Sequence, residues 1–137
     1  MKKINKFDKY YKKNNFIKKM RILIAEDDQI INLVLSNYFS KKGFNVTVGY
    51  NGQEAWNLFN ESPLTYDLVI TDIMMPIMDG IELAQNIKTI RPHIPVIAIT
   101  AGNLADIDGW KHLFELTLNK PLELSVLYHF ILDKIMT

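Results

Sequence analysis

Residues 66–80 read YDLVITDIMMPIMDG, and this stretch decides the fold. Its apolar run 68–70 stops close to the carboxylate of Asp72, and the turn residues Pro76 and 79–80 follow at once. A short apolar run bounded by turn residues predicts a buried parallel strand. Because ligands of open α/β sheets bind beyond the carboxyl ends of the strands, Asp72 is a candidate functional residue.

An aspartate after a strand more often caps the following helix than carries out chemistry. Here the capping position of the next helix is already occupied by Asp79, which precedes Gly80 and is followed three residues later by Glu82. Apolar residues then recur at helical spacing through 81–87, as expected directly after a capping box. The sequence therefore leaves Asp72 free for a functional role.

From residue 20 onward the chain alternates strand and helix patterns. Strands are predicted at 22–25, 44–48, 68–72, 94–100 and about 114–118. Helices are predicted from the acidic run 26–28 to about Gly43, from 51–52 through Phe59, over 80–90, over 103–112, and from Pro121 through Ile131. In the first helix the inward face is predicted to comprise Ile31, Val34, Leu35, Tyr38 and Phe39, and in the last it comprises Leu124, Leu127, Tyr128 and Ile131. Five such βα units predict an α/β fold, a doubly wound parallel sheet with helices on both faces.

Composition sets limits on the class of protein. The 137 residues are 48% hydrophobic and 23% charged, which suits a single globular domain. Cysteine is absent, which excludes disulfides and thiolate metal sites. The apolar runs are too short to span a membrane, and we expect a cytoplasmic protein.

Charge divides the chain into two segments. Residues 1–19 carry eight lysines and one aspartate, a net charge of +7, whereas residues 20–137 carry eight basic and fourteen acidic side chains, a net charge of −6. We interpret 1–19 as a basic, flexible arm or linker and 20–137 as the folded domain. A basic amphipathic helix that contacts a membrane surface, an acidic partner or nucleic acid is the open alternative for 1–19.

Polar side chains follow most of the predicted strands. They are Glu26, Asp27 and Asp28 after the first strand, Asp72 on the third, Thr100 on the fourth, and Lys120 after the fifth. Clustered carboxylates repel one another unless a cation binds between them, and oxygen ligands without His or Cys favour Mg²⁺. A lysine and a hydroxyl beside them are groups that stabilise phosphoryl oxygens.

This set predicts phosphoryl transfer onto a carboxylate. Asp72 is the best nucleophile because it lies on the central strand, and Glu26 and Asp27 are better placed to hold the metal. Each residue also has a structural interpretation: the acids 26–28 complement a helix dipole, Thr100 caps a helix, and Lys120 is a loop lysine. Their joint placement at the strand ends favours the functional interpretation.

Together, the runs 26–28 and 72–76, Met78-Asp79-Gly80, Thr100-Ala101 and Lys120-Pro121 resemble the CheY-like receiver domains of bacterial two-component response regulators. The resemblance spans 20–137 and implies a flavodoxin-like fold of strand order 2-1-3-4-5. It implies that Asp72 is the phosphoacceptor and that Glu26, Asp27, Asp72 and the backbone carbonyl of Met74 bind Mg²⁺. It also implies that Thr100 and Lys120 contact the phosphoryl group and that the Lys120–Pro121 bond is cis.

The resemblance also implies partners. The phosphoryl donor is a histidine kinase or a histidine phosphotransfer protein, and in this family the first helix borders the donor. Ile30 and Leu33 widen the apolar stripe of that helix beyond what its core face needs. We interpret them as docking a helical bundle, and a wider core contact is the open alternative. A downstream protein is expected at the surface of the fourth helix, fifth strand and fifth helix. We expect a monomer or weak dimer, no direct binding of nucleic acid, and no enzymatic turnover beyond possible autodephosphorylation.

One departure from the family pattern concerns switching. Receiver domains usually carry Tyr or Phe three residues before the lysine, and this chain has Thr117. A receiver-fold interaction module that works without phosphorylation is therefore one alternative function. A phosphatase of the haloacid dehalogenase type is another, but it requires a second Asp where Met74 stands. A flavodoxin-like cofactor carrier is a third, but the acids 26–28 would repel its phosphate.

Overall fold

The structure is a computed structural model that describes residues 20–102 and 104–135, with side chains described for 20–102 and 107–134. The predicted arm 1–19, with its amphipathic alternative, lies outside the described residues, as does Asn103.

Strands and helices alternate along the described chain. The strands are β1 (Arg21–Ala25), β2 (Asn45–Gly49), β3 (Leu68–Asp72), β4 (Val96–Thr100) and β5 (Leu116–Asn119). The helices are α1 (Gln29–Lys41), α2 (Gly52–Glu61), α3 (Gly80–Ile90), a 3-10 helix (Leu104–Leu113) between β4 and β5, and α4 (Leu124–Ile135).

All strand pairs are parallel, and the sheet order is β2-β1-β3-β4-β5. This is the order expected from the receiver resemblance. The order reverses beside β1, so the carboxyl ends of β1 and β3 border the crevice where such folds bind ligands. In the register, Ala25 lies opposite Thr71, which places Glu26 next to Asp72 at that edge.

Successive strand residues face opposite sides of the sheet and build two hydrophobic cores. On one side Ile22 and Ile24 pack with α1 and α4, whose buried residues are Leu35, Phe39, Leu127, Ile131 and Leu132. On the other side Leu23 and Ala25 pack with α2 and α3, whose buried residues are Ala55, Phe59, Leu83, Ala84 and Ile87. A smaller cluster of Ile73, Ala98 and Ile107 holds the 3-10 helix against the sheet.

Helix caps agree with the sequence. Asp79 accepts a hydrogen bond from the Glu82 N–H at 2.8 Å, so it caps α3 as predicted. Asp28 caps α1 by accepting from the N–H groups of Ile30 and Ile31 at 2.9 and 3.1 Å. Among the three acids 26–28, the structural interpretation therefore holds for Asp28.

Several predicted details are wrong. The predicted fourth helix is a 3-10 helix, and Pro121 lies before α4, which begins at Leu124 rather than at the proline. β2 and β5 begin later than predicted, at Asn45 and Leu116. On α1, Val34 is 49% exposed, although it was predicted to face inward, and Asn32 is buried. The Lys120–Pro121 peptide bond, by contrast, is cis, as the receiver resemblance implied. Within the described part of the chain, no helix has the length and apolar character needed to cross a bilayer.

Candidate functional site

Three carboxylates meet where β1 and β3 end. Glu26, Asp27 and Asp72 each offer one oxygen, and these oxygens lie within 4.8 Å of one another. Glu26 and Asp72 are 0% and 4% exposed, whereas Asp27 faces solvent. Burial in a protein interior strengthens the repulsion between such groups, because water screens it less. The cluster is therefore stable only with compensating positive charge or with one of its carboxyl groups protonated.

Lys120 supplies part of that charge. Its Nζ lies 2.7 Å from Glu26 Oε1 and 2.8 Å from Asp72 Oδ2. The residue is placed by the sheet, because its backbone N–H donates to the Thr100 carbonyl at 2.9 Å, just beyond the β4–β5 ladder. The lysine thus joins the ends of β1, β3 and β5 in one ionic cluster.

The acid–base properties of this cluster follow from burial and from its charges. The pKa of Glu26 is raised from 4.5 to about 7, chiefly by burial, while the contact with Lys120 acts to lower it and the nearby Asp72 carboxylate acts to raise it. Burial acts to lower the pKa of Lys120, but its contacts with Asp72 and Glu26 outweigh this and raise that pKa above 10.5. Lys120 is therefore a permanent cation here, and Glu26 is the carboxyl group that resists ionisation.

The two oxygens of Glu26 differ in their contacts. Oε2 accepts a hydrogen bond from the Asp28 N–H at 3.3 Å. Oε1 is buried and makes no well-directed hydrogen bond within the described residues, so its close contact with Lys120 is an ion pair. A buried carboxylate oxygen without a hydrogen bond, beside two more carboxylates, fits a hard divalent cation such as Mg²⁺.

Asp72 is fixed from several sides. The Thr71 hydroxyl donates to the Asp72 carbonyl at 2.8 Å, and the Met74 N–H donates to Asp72 Oδ1 at 3.3 Å. Gly80 packs so closely against the same strand end that a Cβ there would lie 2.1 Å from the Asp72 carbonyl oxygen. Turn and strand together hold this carboxylate in one position with one oxygen toward Lys120.

Thr100 ends β4, directly after Ile99, which is the register partner of Asp72. Its buried hydroxyl accepts a hydrogen bond from the Gly102 N–H at 3.0 Å. The Met74 side chain lies nearby, since its sulfur is 3.7 Å from where a Gly102 Cβ would lie. Thr100 therefore borders the same crevice from the β4 side.

The structure thus gathers the sequence-predicted residues Glu26, Asp27, Asp72 and Lys120, with Thr100 at the next strand end. Sequence reasoning missed Asn32, whose side-chain amide donates to the Glu26 carbonyl at 2.9 Å. An asparagine between apolar positions of an amphipathic helix was the available signal.

Comparison with known proteins points to one family. The family model of the response regulator receiver domain matches residues 22–131. The 3',5'-cyclic-nucleotide phosphodiesterase regA of Dictyostelium discoideum is 43% identical over 90 residues, covering 64% of this chain and 11% of that protein. The transcriptional regulatory protein RprY of Bacteroides fragilis is 32% identical over 111 residues, covering 80% of this chain and 46% of that protein. The chain spans less than half the length of either relative.

Solved structures similar to this chain belong to the same family. The Francisella response regulator 1452 receiver domain has a TM-score of 0.74 and 31% identity, covering 86% of this chain and 99% of that one. The response regulator protein TrrA of Thermotoga maritima, solved in complex with Mg²⁺-BeF, has a TM-score of 0.76 and 27% identity, covering 83% and 97%. Fold, strand-end cluster and sequence match lead to the same conclusion: the chain belongs to the response regulator receiver domain family of two-component signalling.

Proposed function

We propose that this chain is a phosphorylation-dependent switch in which Asp72 accepts a phosphoryl group from a histidine kinase or a histidine phosphotransfer protein. The observation that supports this most is the position of the Asp72 carboxylate, held 2.8 Å from the Lys120 ammonium and beside two further carboxylates. An oxygen of Asp72 attacks the phosphorus of a phosphohistidine, the phosphorus–nitrogen bond breaks, and the imidazole leaves. The product is an aspartyl phosphate.

Magnesium would be held by Glu26, Asp27 and Asp72, together with the backbone carbonyl of Met74. When bound, the ion supplies positive charge to the phosphoryl oxygens during transfer. Lys120 supplies a second cation from the protein itself, on the Asp72 side of the cluster. The buried Thr100 hydroxyl is the group that would donate to a phosphoryl oxygen, exchanging its present contact with the Gly102 N–H.

Docking of the donor is proposed at α1. Ile30 and Leu33 are 75% and 59% exposed on the first turns of this helix, directly after the acidic loop. Exposed apolar side chains beside a reactive site suit the packing of a partner helix. Replacing either with Glu is expected to slow transfer from the donor protein.

The output is proposed at the surface of the 3-10 helix, β5 and α4. Phosphorylation adds negative charge beside Thr100, and the 3-10 helix begins four residues later. Thr117, opposite Ala98 in the ladder, cannot act as an aromatic switch. Phe114 packs against both the small cluster of Ile73, Ala98 and Ile107 and the core on the α2 and α3 side of the sheet, and it is the proposed substitute.

The wider assignments belong to the same proposal. Residues 1–19 form a basic arm or linker and 20–137 the receiver domain, which works in the cytoplasm as a monomer or weak dimer. Its role is to signal to a protein partner rather than to turn over a substrate or bind nucleic acid.

Intact mass spectrometry tests the phosphoacceptor proposal. The protein is incubated with acetyl phosphate and Mg²⁺, and one added phosphoryl group is expected. The addition should disappear in Asp72→Asn and when the metal is chelated, whereas Asp79→Asn, which alters only a helix cap, should still be labelled. Equal labelling of wild type and Asp72→Asn would refute the proposal.

A second candidate function is an interaction module that needs no phosphorylation, and Thr117 is the observation that favours it. It predicts that Asp72→Asn binds the downstream partner as well as the phosphorylated wild type does. Partner affinity that rises only after labelling of the wild type would exclude this candidate.

A further inference from the structure

The buried polar side chains of the described residues are concentrated at one place. They belong to Glu26, Asn32, Thr71, Asp72 and Thr100. Four of these are site residues or adjoin one in sequence, and the fifth is Asn32, on α1. Asn32 is 2% exposed, although asparagine is a poor helix former and a poor core residue. A residue that violates local preference in this way calls for a specific partner.

The hydrogen-bond partner of Asn32 is the backbone at the end of β1. Asn32 Nδ2 donates to the Glu26 carbonyl at 2.9 Å and lies 3.5 Å from the Gly49 carbonyl at the end of β2. The Glu26 N–H donates to that same Gly49 carbonyl at 3.1 Å. The Asn32 amide therefore closes a small hydrogen-bonded network over the end of the β1–β2 ladder, where regular strand pairing stops at Ala25 and Gly49.

This network fixes the segment that delivers two of the three carboxylates. Asp27 follows Glu26 directly, and with the backbone in this position the Glu26 side chain lies 2.7 Å from the Lys120 Nζ. Without the Asn32 amide, the buried Glu26 carbonyl would lose its side-chain donor, and the loop would gain freedom to turn toward water.

We propose that Asn32 is a positioning residue for the divalent cation site, and that it acts through the backbone of Glu26 rather than by touching the ion. This inference rests on the proposed function, because it assumes that Glu26 and Asp27 hold the metal. Groups that orient metal ligands without touching the metal typically change affinity by 10-fold or more when removed.

The test measures Mg²⁺ binding by isothermal titration calorimetry, with no phosphoryl donor present. Asn32→Leu keeps a side chain of similar size and removes the hydrogen-bond donor. Asn32→Ser keeps a polar group, but the shorter side chain no longer reaches the Glu26 carbonyl. Leu35→Ala is the matched control, because Leu35 is buried about one turn along the same helix and belongs to the apolar core. Thermal unfolding of each variant shows that it is folded at the titration temperature.

We expect both Asn32 variants to bind Mg²⁺ about 10-fold more weakly than wild type, while Leu35→Ala keeps wild-type affinity despite its lower stability. Unchanged affinity in the Asn32 variants would overturn the inference, and so would an equal loss in Leu35→Ala, which would indicate a general effect of stability. Failure of the wild type to bind Mg²⁺ would instead overturn the proposed metal site, and this inference with it.

Discussion

At the scale of single residues, the site depends on a balance among three carboxylates and one lysine. Glu26 is the residue for which this balance is least favourable, since it is fully buried and its Oε1 lacks a well-directed hydrogen bond within the described chain. The sequence predicted that Glu26 would lie in the cluster, because it follows a buried strand. It could not predict that Lys120, ninety-four residues later, would contact it, because that contact depends on side-chain conformations at the ends of two separate strands.

The raised pKa of Glu26 predicts how the stability of the metal-free protein varies with pH. The folded state holds the Glu26 proton more tightly than the unfolded state, so this contribution is fully present below pH 4.5 and is lost as the pH rises through about 7. The shift from 4.5 to about 7 corresponds to a loss on the order of 3 kcal/mol in the free energy of unfolding. Urea denaturation in a chelator, from pH 4.5 to 8, measures it.

Glu26→Gln is the control for that experiment, since an amide does not titrate. The free energy of unfolding of Glu26→Gln should not fall between pH 4.5 and 8 by the amount attributed to Glu26. In the wild type, added Mg²⁺ should stabilise the protein more at pH 8 than at pH 5, because Glu26 is ionised at the higher pH. Identical pH profiles for the two proteins would contradict the assignment of the raised pKa to Glu26.

A metal ion bound at the proposed site would compete with Lys120 for the same oxygens, because the Lys120 Nζ lies within 2.8 Å of both Glu26 Oε1 and Asp72 Oδ2. Lys120→Met removes the positive charge and keeps an unbranched side chain. We expect Mg²⁺ to bind about 10-fold more tightly, as Coulomb repulsion between the cations is lost, and phosphorylation by acetyl phosphate to fall sharply. Calorimetric titration checks the first effect and intact mass the second, and weaker Mg²⁺ binding in this variant would contradict the competition.

At the scale of elements, the strands were predictable and the connections were less so. β3 was predictable because the apolar run 68–70 is followed closely by turn residues. In the structure every residue from Leu68 to Asp72 is buried. The segment between β4 and β5 was predicted as a helix but forms a 3-10 helix, in which Ile107 and Leu113 are the buried side chains among those described, 107–113. Periodicity did not distinguish the two helix types in this ten-residue segment, because apolar residues spaced three apart suit both.

Gly80 and Gly109 differ in how closely other atoms pack around them, and this difference can be tested. A Cβ at Gly80 would overlap the Asp72 carbonyl, whereas a Cβ at Gly109 in the 3-10 helix meets no atom within 4 Å. Gly80→Ala should therefore lower the free energy of unfolding by about 1–3 kcal/mol and disturb Asp72. Gly109→Ala should leave it unchanged or raise it by up to about 1 kcal/mol. Chemical denaturation of the two variants measures this, and equal losses would contradict the packing at Gly80.

At the scale of the whole molecule, the topology followed from the alternation of strands and helices, and the site followed from the topology. Parallel strands bring their carboxyl ends to one edge, so residues as distant in sequence as Asp27 and Asp72 could be predicted to meet. What could not be predicted was the support around them. Asn32 was not among the residues predicted to face inward, whereas Val34 was, because a helical wheel does not account for the Glu26 carbonyl that accepts a hydrogen bond from the Asn32 amide.

This pocket is proposed to direct a phosphoryl group to one carboxylate among several. The most direct measurement is to label the protein with acetyl phosphate and Mg²⁺, reduce the acyl phosphate with borohydride, which converts a phosphorylated aspartate to homoserine, and sequence the peptides by tandem mass spectrometry. Homoserine at position 72 alone is the expected result. Homoserine at position 27 or 28, a reduced Glu26, or no reduced residue at all would contradict the account.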